Sequence, residues 1–424
     1  MESQRKIRKA GMQGRMAGTH RFSGMRALIG AVLAGVAISG TALAANPSVK
    51  DVRIGVNPDK SLPAATTRVV LELSESTPYS AFLLGDPYRL VIDLPELDWG
   101  VKESVAQASK GLVERFRFGL YRPGNSRVVV DLSQAVRIAR HMPLGSNRLV
   151  FDLVPVAKSA FEPGVAVSAS DWRPPTAKTP VAQQPRDTGD PRRLIVIDAG
   201  HGGVDPGAIR GGIYEKNLTL ALAKEVQRAL AASGRYRVVM TRDRDVFLEL
   251  RERVDVARAN NADLFVSLHA DTHPNKATRG ASVYTLSDTA SDREAAALAA
   301  KENRVDIIAG VDLSGHSAPV AELLIELRQR QTMNESAVFA NMLIGQFGHN
   351  DVGVLTVSRT HRFAGFAVLK SPDVPSVLVE VGYLSNRQDL ALLRTSGFAK
   401  SVARAMLASI DEYFKRRELL SSSG

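Results

Sequence analysis

The sequence contains no cysteine among its 424 residues. Disulfide bonds and thiolate metal sites are therefore excluded, and any metal ion must be held by histidine and carboxylate side chains. A chain of this length can form two or three domains, each with its own hydrophobic core. The search for a functional site is thus directed to histidine, aspartate and glutamate.

The N-terminal region also lacks an apolar run long enough to cross a membrane comfortably. Its apolar run, residues 27–38, falls short of the roughly 20 residues that a bilayer requires. Seven basic residues against Glu2 alone precede the run, and the small residues Ala42-Leu43-Ala44 follow it. This order predicts an export signal over residues 1–44, cleaved near Ala44. An uncleaved N-terminal anchor is the alternative.

The chain that follows the predicted export signal has no strong surplus of positive charge. The net charge is +11, and the leader contributes +6 of it, which leaves +5 on the rest of the chain. Nucleic-acid binding requires a clustered basic face. We therefore expect no nucleic-acid partner.

What the exported part does contain is an internal repeat. Residues 68–74 (RVVLELS) recur as 127–133 (RVVVDLS), and 89–94 (RLVIDL) recur as 148–153 (RLVFDL), both at an offset of 59. Apolar residues alternate with charged ones, which is typical of strands with one buried face. The repeat predicts a small all-β domain, residues 47–155, made of two copies of one unit. No catalytic motif lies within it.

Residues 156–192 follow this region and are rich in proline, with Ser, Ala, Thr and Gln between the prolines. Such a composition cannot build a hydrophobic core. We expect a flexible linker that tethers the C-terminal domain to the β domain.

The C-terminal region begins with an apolar strand, residues 194–198, that runs into a glycine-rich loop containing His201. The carboxyl end of a parallel strand is where ligands bind in α/β sheets. A lone loop histidine more often bonds to a backbone carbonyl, but Glu215 opens a predicted helix and His269 ends a second strand. Two histidines and a glutamate form the ligand set of a catalytic zinc with an open position.

Four blocks of sequence closely resemble the zinc-dependent N-acetylmuramoyl-L-alanine amidases of bacterial cell walls. The blocks are residues 198–203 (DAGHGG), 215–216 (EK), 267–271 (SLHAD) and 379–386 (VEVGYLSN), in the family's order. The resemblance implies one zinc ion on His201, Glu215 and His269, with Glu380 as the catalytic carboxylate. It also implies a periplasmic enzyme that cleaves the amide between N-acetylmuramic acid and L-alanine in peptidoglycan during daughter-cell separation.

The N-terminal β domain is similar to the targeting domain that accompanies many of these amidases. That resemblance implies a module that holds the enzyme on peptidoglycan at the division site. A packing module without a ligand is the alternative.

The predicted catalytic domain, residues 193–418, alternates strands with helices. This pattern predicts an α/β fold with a mostly parallel sheet and helices on both faces. Strands are expected at residues 194–198, 236–241, 263–268, 281–286, 366–369 and 376–381, with helices at 215–233 and 248–260 and two more beginning at 389 and 400.

Some eighty residues separate the strands at 281–286 and 366–369, far more than a crossover helix needs. We predict a regulatory insert at about residues 287–350, with helices at 292–303, 320–331 and 335–347. In related amidases an inserted segment blocks the zinc until an activator protein displaces it. We therefore expect Glu294 or Glu302 to approach the metal, although either residue could instead be solvated helix surface.

Glu380 lies in an apolar strand, where an unpartnered carboxylate is costly. We expect the metal centre to compensate it and Glu380 to act as general base. Asp198 and Asp271 are candidates to orient the ligand histidines, although an aspartate beside a turn is more often a cap. The ligand set would accept divalent ions other than zinc.

Two other functions remain open at this point. One is a zinc peptidase that acts on peptidoglycan cross-links, which the ligand set allows but the four blocks disfavour. The other is a non-catalytic wall-binding protein that recruits partners, which should have lost a ligand or the carboxylate. We expect the protein to be a monomer.

Overall fold

The structure is a computed structural model that describes residues 46–422, apart from 57–60, 62–65, 102–108, 169, 176–188, 312–321 and 356–359. The side chains of residues 322–328 and 421 are also outside the description. The predicted export signal, residues 1–44, lies outside the described residues. Among the helices that are described, none combines the length and the apolar character needed to cross a membrane.

The N-terminal part is a β domain of two five-stranded sheets, which confirms the predicted all-β class. The sheets have the orders β5-β1-β2-β9-β8 and β10-β3-β4-β7-β6, and their buried side chains form one hydrophobic core. The strands are β1 Ser48–Val56, β2 Thr67–Leu73, β3 Ser80–Leu84, β4 Arg89–Pro95, β5 Asp98–Trp99, β6 Val113–Arg122, β7 Asn125–Leu132, β8 Val136–Pro143, β9 Arg148–Pro155 and β10 Val167–Ser168.

The two repeated units interleave. The first unit supplies β2 and β4 and the second supplies β7 and β9, yet β2 pairs with β9 and β4 pairs with β7. The same ion pair therefore occurs twice between equivalent residues of the two units. Arg68 binds both oxygens of Asp152, and Arg127 binds both oxygens of Asp93. Each sheet therefore contains strands of both copies, and neither copy completes a sheet alone.

The predicted linker is partly incorporated into the β domain. Val167–Ser168 pairs with β3 as an edge strand, and the ring of Phe161 packs edge-on against Tyr88 with centroids 4.9 Å apart. These residues were expected to be flexible, but their apolar side chains add to the core of the β domain. Residues 176–188 lie outside the described part of the chain.

The C-terminal part is an α/β domain built on a six-stranded sheet of order β14-β11-β15-β18-β16-β17. All neighbouring strands are parallel except β16 and β18. Its elements are β11 Arg193–Ala199, β12 Ile209–Arg210, β13 Ile213–Tyr214, α1 Glu215–Ala232, β14 Tyr236–Met240, α2 Leu250–Ala259, β15 Leu264–His269, β16 Ser282–Leu286, α3 Arg293–Glu302, α4 Val305–Ile308, α5 Glu322–His349, β17 His361–Ala364, β18 Ser376–Glu380, α6 Arg387–Leu393 and α7 Ser396–Ser422.

Hydrophobic cores cover both faces of this sheet. Apolar residues of α1, α5 and α7 pack on one face, and residues of α2 and α3 pack on the other. The predicted mostly parallel sheet with helices on both faces is therefore confirmed, and its one antiparallel pairing makes the sheet mixed.

Three predicted elements, two helices and one strand, differ from the structure. The helices expected at 320–331 and 335–347 form one helix, α5, because no glycine or proline interrupts residues 322–344. The strand expected at 366–369 is a 3₁₀ turn, Ala367–Leu369, and the strand is His361–Ala364. Its sequence, HRFA, lacks the apolar run that marks a buried strand. Arg362 can nevertheless be buried there because it forms an ion pair with Asp292.

The β domain packs against the loop that follows β11. Tyr121 stacks on Phe247 with ring centroids 5.6 Å apart, and both belong to an apolar cluster that includes Val305 of α4. A Cβ atom on Gly119 would lie 2.3 Å from the backbone of Gly203, so the two segments are in direct backbone contact. The domain interface therefore lies beside the loop that contains His201.

Candidate metal centre

His201 lies in the loop after β11 in an unusual backbone conformation. Its φ of +60° is one that residues with side chains rarely adopt. Gly200 leaves room for the ring of His269, since a Cβ atom there would lie 2.5 Å from that ring. The buried Arg253 donates to the carbonyls of Ala199 and His201 at 2.9 and 2.8 Å. This arginine therefore stabilises the strained loop at the carboxyl edge of the sheet.

Glu215 and His269 reach the same point from two other elements. Glu215 is the first residue of α1, and His269 is the last residue of β15. The Oε1 atom of Glu215 lies 3.2 Å from His201 Nε2 and 3.3 Å from His269 Nδ1. One ligand atom from each of the three buried residues lies within 4.8 Å of the others. The structure thus brings together the three predicted metal ligands.

Several buried atoms at this point lack a hydrogen-bond partner. Within the described residues, His201 Nε2, His269 Nδ1, Glu302 Oε1 and Glu380 Oε1 are buried and make no hydrogen bond. Buried polar atoms are nearly always paired, so such a cluster indicates a ligand. Imidazole nitrogens beside carboxylate oxygens suit a divalent metal ion such as zinc. The residues present therefore fit the ion that the sequence predicted.

The electrostatics of the centre also favour a cation. Burial disfavours the protonated form of His201, but Glu215, Asp205 and Glu302 outweigh burial and raise its pKa well above the ordinary value. Burial disfavours the charged form of Glu215, yet His201 outweighs it and holds the pKa of Glu215 well below the ordinary value. Closely spaced buried carboxylates create a negative potential that a divalent ion neutralises.

Glu380 ends β18 and lies directly opposite His269 in the parallel ladder with β15. Its Oε2 atom accepts a hydrogen bond from the backbone N–H of Asp271 at 2.9 Å. Burial and the charges of Glu215, Asp271 and Glu302 raise the pKa of Glu380 well above its ordinary value. A carboxylate with a raised pKa is suited to take up a proton.

The aspartate that contacts a ligand histidine is Asp205, which the sequence analysis missed. His201 Nδ1 donates to Asp205 Oδ2 at 2.7 Å. Asp205 is placed there because the loop folds back on itself, with Gly202 and Asp205 exchanging backbone hydrogen bonds. The sequence signal was an aspartate four residues after the histidine, followed by proline and glycine.

The two aspartates proposed for this orienting role contact other groups. Asp198 accepts hydrogen bonds from Thr241, Ser267 and Arg253 at 2.6 to 2.7 Å, so its carboxylate stabilises the sheet edge rather than a histidine ring. Asp271 pairs with Lys301, and its backbone N–H holds Glu380. Asp271 therefore positions the candidate base instead of a metal ligand.

Helix α3 brings Glu302 to the centre. The Oε2 atom of Glu302 lies 3.6 Å from His201 Nε2 and 3.5 Å from His269 Nδ1. The side chain is buried, and Lys301 lies 3.4 Å from its other oxygen. Glu302 thus adds a fourth protein group to the two histidines and Glu215.

The other candidate carboxylate of the insert, Glu294, lies away from the ligand atoms. Its side chain is 41% exposed and faces Arg362 and His273 at 3.3 and 3.7 Å. Of the two residues between which the sequence could not choose, the structure places Glu302 at the centre and Glu294 at the surface of α3.

A cavity of about 200 Å³ adjoins the centre and is lined by both domains. Phe116 and Phe118 of the β domain form one side, while Tyr214, His201 and Glu302 belong to the other. Access to the ligand atoms therefore leads past the domain interface.

Comparison with known proteins agrees with this site. Residues 195–412 match the family described as N-acetylmuramoyl-L-alanine amidase, and residues 47–160 match the AMIN domain. The N-acetylmuramoyl-L-alanine amidase AmiC of Neisseria meningitidis is 34% identical over 366 residues, which cover 82% of this chain and 86% of that protein. The chain belongs to the N-acetylmuramoyl-L-alanine amidase family.

Two further proteins show the extent of the similarity. The amidase AmiC of Escherichia coli O6:H1 is 32% identical over 411 residues, 92% of this chain and 95% of that protein. Among solved structures, the catalytic domain of the amidase CwlV from Bacillus (Paenibacillus) polymyxa var. colistinus has 28% identity and a TM-score of 0.37, and the match covers 53% of this chain and 98% of that one. The similarity to the AmiC amidases thus extends over both domains of this amidase.

In the insert of this amidase, Asp306 should make stability depend on pH. Asp306 of α4 accepts a hydrogen bond from Leu250 N at 3.0 Å, at the start of α2. Burial, together with Glu249 and Glu252, raises the pKa of Asp306 to about 6. Because the folded state has the higher pKa, this carboxyl group favours folding below about pH 4 and loses that contribution as pH rises through about 6.

We therefore expect Asp306→Asn to raise the free energy of unfolding by about 1–2 kcal/mol at pH 7, with little change at pH 4. Asparagine retains the oxygen that accepts from Leu250. Urea unfolding at both pH values measures the difference, with Asp255→Asn in α2 as the matched control. An equal effect at both pH values would contradict the prediction.

Proposed function

We propose that His201, Glu215 and His269 hold one zinc ion and that this centre hydrolyses the amide between N-acetylmuramic acid and L-alanine in peptidoglycan. The observation that most supports the proposal is the convergence of unpaired buried histidine nitrogens on a shared glutamate, in a chain of this family. When bound, the ion supplies a Lewis acid for water and for the scissile carbonyl.

Glu380 is the proton-transfer group in this proposal. Hydrolysis of an amide requires a base that removes a proton from the attacking water and an acid that protonates the leaving nitrogen. The Asp271 N–H fixes Oε2 of Glu380, while Oε1 makes no hydrogen bond within the described residues and is available for the proton. The raised pKa of Glu380 supports both roles, because a carboxylate that binds a proton more readily than usual can take one up and then return it.

The two rival functions are less well supported. A non-catalytic recruiter should lack a ligand or the candidate base, yet all four positions are filled and grouped. A peptidase that cleaves cross-links could use the same ligands, but the relatives that match over most of this chain are named as amidases. We propose that the amidase acts in the periplasm in daughter-cell separation, as a monomer, because one chain supplies every group of the centre.

We also propose that the described centre is the resting state and that Glu302 blocks it. A carboxylate 3.5 to 3.6 Å from both histidine nitrogens occupies a position that substrate or water would need. Opening then requires displacement of α3, and an activator protein of the cell-division machinery that binds the insert would supply the energy. The β domain would meanwhile hold the enzyme on peptidoglycan.

The metal assignment can be tested through Asp205. Partners that orient a ligand histidine typically contribute about 10–100-fold to metal affinity. We expect Asp205→Asn to weaken zinc binding by about tenfold, because asparagine is a weaker acceptor for His201 Nδ1. Competition with a chelating dye measures the affinity.

The matched control is Asp245→Asn, since Asp245 bonds to Gly203 and Lys216 in the same region. Equal zinc affinity of the Asp205 variant and the wild type would contradict the role of Asp205. Absence of zinc binding by the wild-type chain would contradict the metal centre itself.

A further inference from the structure

The C-terminal end of α4 lies on three arginines of the β domain, which we call the arginine face: Arg89, Arg117 and Arg127. They donate hydrogen bonds to four consecutive backbone carbonyls that follow the metal-facing helix α3. The bonds run from Arg89 to Ile307, from Arg117 to Ile308 at 2.6 Å, and from Arg127 to Ala309 and Gly310 at 3.2 and 2.8 Å.

These carbonyls are ones that a helix end leaves without intrahelical partners. The turn after α4 closes with bonds from Gly310 N to Ile307 O and from Val311 N to Asp306 O, the pattern of a Schellman cap. That cap leaves the carbonyls of Ile308 and Ala309 for other donors, and the arginine face supplies them. Hydrogen bonds from charged donors are stronger than neutral ones.

The turn also follows the surface of the β sheet closely. Gly310 has a φ of +71°, and a Cβ atom there would lie 3.0 Å from Val91 and 3.2 Å from Val129. Val305 and Ala309 join Val129 and Tyr121 in the apolar cluster of the interface. Polar and apolar contacts therefore hold the same short segment.

Two arginines of this face, Arg117 and Arg127, are held by ion pairs within the β domain itself. Arg127 binds both oxygens of Asp93 at 2.7 and 2.9 Å, and Arg117 pairs with Asp131. The side chains of Arg117 and Arg127 are only 9% and 7% exposed. Side chains that are already ordered lose little conformational entropy when they bind, so this face is preorganised for the helix end.

We infer that the arginine face is an interaction surface for the insert and that, through α4, it holds Glu302 in the metal centre. Residues 303 and 304 alone separate α3, which ends at Glu302, from α4. The β domain is then part of the closure of the active site as well as a wall-binding module. The inference rests on the proposed blocking role of Glu302, and a partner that opens the site must break these bonds.

The β domain supplies matched controls for both variants. Arg148 is the equivalent of Arg89 at the offset of 59, and it is exposed. For Arg117 the control is Arg115, which pairs with the same Asp131 but has a side chain 61% exposed. Each control removes an arginine side chain from the same domain at a position that, within the described part of the chain, makes no hydrogen bond to α4.

The experiment compares the full-length variants Arg89→Ala and Arg117→Ala with Arg148→Ala and Arg115→Ala. Loss of one charge-assisted bond should raise the open population roughly tenfold. Hydrogen exchange of the amides of Ile308 and Ala309, which bond to the carbonyls of Arg304 and Val305, should accelerate to that extent in the test variants alone. Basal release of dye from labelled peptidoglycan should rise by a similar factor.

Faster exchange and release in either test variant, with both controls unchanged, would support the inference. If both test variants match their controls while Glu302→Ala is more active than the wild type, Glu302 blocks the site but the arginine face does not hold it there. If exchange accelerates but neither the arginine variants nor Glu302→Ala gains activity, the blocking role of Glu302 fails. Having two test variants keeps the result decisive if one of them does not fold.

Discussion

Replacing Glu380 by glutamine should lower kcat for stem-peptide release by about 10²–10⁴-fold while leaving zinc bound. Glutamine has nearly the same shape and keeps the oxygen that accepts from Asp271 N, but it cannot take up a proton from water. Because the proposed metal ligands are His201, Glu215 and His269, zinc should remain bound at wild-type occupancy. Steady-state hydrolysis and zinc content by elemental mass spectrometry measure the two quantities.

The paired measurement separates a chemical role from a structural one. Loss of both zinc and activity would show that Glu380 supports the centre rather than the proton transfer. Unchanged kcat with zinc bound would remove Glu380 from the mechanism. The pH profile gives a further check, because the limb that reports the essential base should disappear in the variant.

The second large effect is expected from Glu302→Ala, which should raise basal hydrolysis at least tenfold. The side chain is buried beside His201 and His269, so its removal should vacate the position that we propose substrate needs. An open state populated at a few per cent or less in the resting enzyme would become the main state. Dye release from labelled peptidoglycan without an activator measures the change.

Glu294→Ala is the control, because Glu294 lies on the same helix and faces Arg362 instead of the metal centre. Its basal rate should equal that of the wild type. Equal rates in both variants and the wild type would refute the blocking role of Glu302, and an increase in both would indicate that any damage to α3 opens the site.

The meeting of the candidate metal ligands could be predicted because parallel strands impose a simple geometry. His201 and His269 follow or end strands whose carboxyl ends meet at one edge, and Glu380 ends the neighbouring strand. A short apolar run that stops at a polar residue is visible in sequence. The strand placement therefore indicated which side chains would meet.

The choice between Glu294 and Glu302 could not be made from sequence. They are eight positions apart, a distance of about 12 Å along the helix axis, so only one end of α3 can reach the candidate metal centre. Which end does so depends on how α3 packs against β17 and on how α4, which follows it, packs against the β domain. Those contacts are tertiary, and they cannot be predicted from the hydrophobic pattern of α3.

Contacts between the domains left no sequence signal either. Arg89 meets Ile307 across 218 residues, and the acceptor is a backbone carbonyl that any residue would provide. The repeat identified Arg89 and Arg127 only as parts of alternating strands. Asp205 was missed for a related reason, because an aspartate in a turn more often caps the local backbone.

The most direct test of the account is mass spectrometry of the soluble products released from purified sacculi by the zinc-loaded full-length protein and by Glu302→Ala. We predict free stem peptides that begin at L-alanine, with their cross-links intact, and in larger amount from the variant. Cleaved cross-links on peptides still attached to N-acetylmuramic acid would contradict it, as would the absence of products from both proteins.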